Sequence, residues 1–126
     1  MRRLKQPALL AAILWFFAAA PVLAATADGA LMTGGALLTL CQSSKSQDVF
    51  SCQTYIAGVV DYHRLQRSLG TVPTVDFCLP DNITMGDIKT LVVRYLYRYT
   101  EHRDFIAAPA VAMALFQQFP CRGKKR

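Results

Sequence analysis

The sequence predicts an all-α fold, a small disulfide-bonded four-helix bundle. Three observations carry that expectation. Apolar residues recur at three- and four-residue spacing in segments punctuated by glycine and proline. Four cysteines, an even number, lie in the body of the chain. The N-terminus has the layout of an export signal, which places those cysteines where disulfides form. With 126 residues, the chain has room for one domain.

Arg2, Arg3 and Lys5 make a basic n-region, and Leu9 to Ala20 is an apolar core. Val22-Leu23-Ala24 supplies the small residues a signal peptidase reads, so cleavage is expected after Ala24, with Ala25 and Ala27 as later alternatives. An uncleaved anchor is disfavoured, because spanning a bilayer takes roughly 20 apolar residues. The expected organisation is a signal peptide over 1–24, a helical domain over 25–121 and a basic tail over 122–126. No membrane association is expected once the signal is removed.

Thr33-Gly34-Gly35 can open a first helix with Thr33 as N-cap, continued by Ala36, Leu37, Leu38 and Leu40 to about Cys41. Gln42 to Ser51 is polar and serine-rich and reads as a loop, with Asp48 or Ser51 capping the next helix. That second helix is expected from Cys52 to Leu69. Tyr55, Ile56, Val59, either Tyr62 or His63, and Leu69 form its inner side, while Asp61 faces away. Gly58 lies inside this pattern at a cost of about 1 kcal/mol against alanine, so close approach of another backbone is expected there. Gly70 suits the left-handed position that ends helices.

Thr71 to Pro80 is extended, with two prolines and β-branched residues between them. Its reach allows Cys78 to return towards Cys52. Thr84 and Asp87 form a capping-box pattern, and Ile88, Leu91, Val92, Tyr95, Leu96 and Tyr99 then give the cleanest amphipathic stripe in the chain. Thr100 to Ala108 is a connector. Pro109 fits the first turn of a last helix whose inner face holds Val111, Ala114, Leu115, Gln118 and Phe119. Pro120 stops that helix, and Pro80 marks the boundary before the third. All four cysteines are expected in bridges. Spacing leaves the three pairings open; the preferred one is Cys52–Cys78 with Cys41–Cys121.

The net charge of +6 is misleading. Arg2, Arg3 and Lys5 belong to the signal, and Arg122, Lys124, Lys125 and Arg126 to the tail. The body between them is close to neutral, which argues against a nucleic-acid partner. Catalytic constellations are also missing. His63 and Asp61 are two apart on a helix and point away from each other. No Cys-x-x-Cys or His-Glu-x-x-His occurs, so neither a metal nor any other cofactor is expected. The surface of most interest is the outer side of the third helix and the connector after it. There Arg94, Tyr97, Arg98, Glu101, His102 and Arg103 combine arginine with tyrosine, as interfaces do. An ordinary solvated face is the competing reading.

A set of motifs carries a family resemblance. Leu40-Cys41-Gln42-Ser43 is followed by Cys52-x-x-Tyr55-Ile56-x-Gly58-x-x-Asp61, Phe77-Cys78-Leu79-Pro80, Thr84, Val92-x-x-Tyr95-Leu96, and Ala114-Leu115-x-x-x-Phe119-Pro120-Cys121. In this order they resemble the Tai family, periplasmic immunity proteins against type VI secretion amidase effectors. The resemblance implies a periplasmic, disulfide-bonded helical protein, often a homodimer. It would block the cleft of a peptidoglycan amidase by steric occlusion, with no reaction of its own. The chain departs from the family pattern at Thr100-Glu101 and at Gly34-Gly35, both where a partner could touch. A rival of another class is an acid-stress chaperone, similar in outline to the HdeA-type proteins, which carry a cysteine at a helix start. Two histidines and eight carboxylates make a weak acid trigger.

Overall fold

In the computed structural model, residues 31–71 and 73–121 are described. The expected signal peptide and basic tail lie outside them. The described chain forms four α-helices, α1 (Gly34–Gln42), α2 (Ser46–Ser68), α3 (Met85–Arg98) and α4 (Ala107–Gln118), with a 3₁₀ turn at Thr100–Arg103 before α4. Two isolated antiparallel bridges, Thr33 with Ile106 and Phe77 with Pro120, are its only extended pairings among the described residues. No described helix is long and apolar enough to cross a membrane.

The helix starts and stops obey local chemistry. Thr33 Oγ1 accepts from the Ala36 amide at 3.2 Å and caps α1. At α3 the capping box is complete: Thr84 Oγ1 accepts from the Asp87 amide, and Asp87 Oδ2 accepts from the Thr84 amide and hydroxyl. Those hydrogen bonds hold the Asp87 carboxyl below its ordinary pKa. At the end of α2, Gly70 has φ +75°, the Thr71 amide donates to Gln66 O and the Gly70 amide to Arg67 O. This is a Schellman stop, which only a residue without Cβ takes at no cost.

The core is a seam of fully buried Leu37, Ile56, Val92, Leu96, Val111 and Leu115, drawn from all four helices. On α2 the inner position falls to His63, not Tyr62, and Leu69 is exposed, contrary to expectation. His63 is held by stacking on Phe77, with ring centroids 3.7 Å apart. Its Nε2 lies 3.1 Å from Asp76 Oδ1 and 3.3 Å from the Phe77 amide, and it can serve only one of them at a time.

Two further expectations about α2 are overturned. The helix begins at Ser46, nearly two turns before the expected start, so the connection to α1 is only three residues and Cys52 is well inside the helix. That short turn folds α1 back on α2 and sets Cys41 against Cys52. The bridges are therefore Cys41–Cys52 and Cys78–Cys121, not Cys52–Cys78 and Cys41–Cys121. Cys78 returns only as far as Arg67, about 22 Å of helix short of Cys52.

Gly58 is the second correction. It is exposed, and a Cβ there would meet nothing within 4 Å. The close approach is at Gly34, where a Cβ would lie 2.2 Å from His102 O, and the adjacent Gly35 leaves little room beside Arg103 O. Met32 O and Phe105 O accept from Ala107 N and Gly34 N, which presses the two segments together.

These contacts set two expected outcomes. Gly34→Ala should lower stability by about 1–3 kcal/mol through overpacking against backbone, while Gly58→Ala should raise it by about 0.5–1 kcal/mol; urea unfolding midpoints of the two variants check this. Burial lowers the His63 pKa from 6.5, opposed by Asp76 and reinforced by Arg67. Above that value the imidazole is neutral in both states. Below it the unfolded chain takes a proton that the folded chain resists, so stability should fall as pH drops through and below 6.5. His63→Gln should flatten the melting-temperature profile in that window.

Candidate functional site

The amphipathic stripe of α3 fixes which of its residues can meet a partner. With Val92, Tyr95 and Leu96 turned into the core, Arg94 and Arg98 fall one turn apart on an exposed face beside α4. Between the two helices runs a groove of about 500 Å³, with Leu91, Tyr95, Tyr99 and Ala114 below, and Arg94 and Arg98 facing Gln117 and Gln118 across it. A second hollow of about 540 Å³ shares Leu91, Arg94 and Gln118 and continues the trough towards Ile83, Asp87 and Phe119. Gln117 Nε2 donates to Tyr99 OH at 3.3 Å, which ties one wall to the base. Among the described residues neither Arg94 nor Arg98 has a hydrogen bond or ion pair, so both guanidiniums remain available to a carboxylate.

The six residues singled out in the sequence do not form one surface. Tyr97 sits on the opposite flank of α3, where its hydroxyl accepts from Gln42 at the end of α1. Arg103 folds back under α3: its Nε donates to Leu96 O at 2.9 Å, its Nη2 to Tyr97 O at 3.4 Å, and its guanidinium lies 5.5 Å from the Tyr97 ring centre. It therefore satisfies carbonyls at a helix C-terminus, where a cation is also favoured by the dipole. His102 turns inward, sharing a 3.2 Å hydrogen bond with Tyr95 OH and packing on Tyr99. Burial pushes the Tyr95 hydroxyl above its ordinary pKa. Glu101 is exposed on the 3₁₀ turn.

The motif residues have mostly architectural surroundings. Tyr55 is half-buried against the core. Asp61 is exposed, 3.9 Å from Arg64 in an i,i+3 pair of little energetic weight. Pro80 O accepts from the Ile83 amide in the turn before α3, and Pro120 pairs with Phe77. The far wall of the trough, Gln117 and Gln118, is not evident in the sequence: Gln118, expected on the inner face of the last helix, is exposed, because the buried face of α4 ends at Leu115. Among the described residues no group of three or more His, Cys, Asp or Glu converges on a metal position.

The family model of the Rap1a immunity proteins matches residues 33–121, well over half of the chain. No curated protein and no solved structure matches it.

Stability should separate the two kinds of residue. His102→Ala leaves the half-buried Tyr95 hydroxyl without its partner and should cost about 1 kcal/mol, whereas Arg94→Ala and Arg98→Ala should each stay within about 0.5 kcal/mol of the parent. Thermal unfolding of the three variants decides it.

Proposed function

The chain belongs to the Rap1a immunity proteins, an immunity family of type VI secretion effectors, and from that premise we propose that it binds a peptidoglycan amidase effector and occludes its catalytic cleft. The observation that carries this reading is the trough between α3 and α4, where two arginines without intramolecular partners among the described residues face a wall of glutamines. A guanidinium's rigid planar fork makes two hydrogen bonds to a carboxylate at once and loses less freedom per bond than an ammonium does, which favours arginines as anchors. Inhibition is steric: the protein contributes no reacting group.

The reading extends to place and assembly. The sequence signal over 1–24 and two disulfides support a periplasmic protein. The homodimer implied by the Tai resemblance is part of the proposal. The exposed Tyr62, Leu65 and Leu69 on the solvent face of α2 support it.

The test is capture of a purified peptidoglycan amidase effector, with hydrolysis of peptidoglycan as a second readout. The parent protein should bind and inhibit. Arg94→Glu with Arg98→Glu should weaken capture at least about 100-fold, the size expected when interface arginines become repulsive, with the melting temperature nearly unchanged. Unaltered capture by the double variant would remove the trough from the interface, and no inhibition by the parent would overturn the reading.

A further inference from the structure

The two disulfides occupy unlike surroundings. Cys41 and Cys52 are both buried, Cys52 completely. Cys78 is exposed and Cys121 half-exposed. A cavity of about 260 Å³, lined by His63, Arg64, Arg67, Phe77, Leu79 and Asp81, opens directly on Cys78. The Arg67 guanidinium lies against both sulfurs of this bridge, Nη1 being 2.6 Å from Cys78 Sγ and 3.0 Å from Cys121 Sγ. Its Nε is 3.6 Å from Asp76 Oδ1, which holds the side chain in that position.

We propose that Cys78–Cys121 is a thiol–disulfide exchange site for a dithiol reductant entering through this cavity, and that Arg67 promotes the exchange, while Cys41–Cys52 is permanently closed. A thiolate of the dithiol attacks Cys78 Sγ. A mixed disulfide forms, the Cys78–Cys121 bond breaks, and its electron pair leaves on Cys121 Sγ. The second thiolate of the reductant then attacks its own sulfur in the mixed disulfide and expels Cys78 as thiolate. Both cysteine thiolates take protons from water. The bridge has gained two electrons, and the dithiol has become a disulfide. A cation beside the leaving sulfur lowers its thiol pKa and speeds its departure. Exposure of Cys78 gives the attacker the line of approach that Cys52 denies. After opening, the Cys78 N–H still donates to Phe119 O and the Cys121 N–H to Asp76 O, which keeps the segments side by side, so the bridge can close again.

The experiment treats the folded protein with graded dithiothreitol without denaturant, quenches with iodoacetamide at intervals, and reads alkylation of each cysteine by mass. Cys78 and Cys121 should label at least about tenfold faster than Cys41 and Cys52, as differences in access and leaving group allow. Arg67→Gln should slow that labelling several-fold, and Arg67→Lys should recover part of the rate. The sign is decisive: were Arg67 only a packing residue, its loss would loosen the site and speed the opening. Equal rates for the two bridges, earlier opening of Cys41–Cys52, or an Arg67→Gln rate at or above the parent would each overturn the proposal.

Discussion

Two cross-links decide which surfaces of this chain can face outwards. Cys41–Cys52 locks α1 onto α2 across a three-residue turn, and Cys78–Cys121 ties the end of α4 to the segment leaving α2. Each is worth roughly 2–4 kcal/mol to a folded domain, a large share of the stability a domain near 90 residues derives from a single core. With both ends of the helix cluster tied, α3 packs its Val92 and Leu96 edge inwards. Its arginine edge is left beside α4. The trough is a consequence of that closure.

The arginines of this domain show how position, not net charge, sets a role. Arg103 serves the exposed carbonyls at the end of α3. Arg67 faces a disulfide and a carboxylate. Arg94 and Arg98 face open space over an aromatic base. A near-neutral body lacks the broad basic field that would recruit polyanions, so under the proposed function recognition falls to a few directed guanidiniums. Such contacts suit one shaped partner better than a class of charged polymers.

Much of the fold is legible in the sequence, and the misses have physical causes. The stripe of α3, its Thr84–Asp87 cap and the Gly70 stop are local signals, each set by neighbours three or four residues away. The first two turns of α2 are hidden because Ser46 to Ser51 is polar apart from Val49 and Phe50, and the N-cap Lys45 makes no side-chain cap bond. That error carries over to the cysteine pairing, since pairing depends on the length of the turn. Gly58 and Gly34 look alike in a sequence. Only the 3₁₀ turn near Gly34, about seventy residues further along the chain, distinguishes a glycine that is required from one that is merely tolerated. Of the candidate site, Arg94 and Arg98 can be read from helical spacing. Their opposite wall comes from another helix, and the inward turn of His102 escapes a sequence reading because its partner Tyr95 lies in the preceding helix. The Rap1a family match agrees with the immunity reading and leaves the Tai subfamily as a resemblance.

The most direct test of this account is the linkage map of the unreduced protein. Trypsin can cut at Lys45, Arg64 and Lys89, so every cysteine falls in a separate peptide unless bridged. Mass analysis should find the Cys41 peptide joined to the Cys52 peptide, and the Cys78 peptide joined to that of Cys121. A Cys52–Cys78 peptide, or four unlinked ones, would contradict the arrangement on which the exposed trough depends.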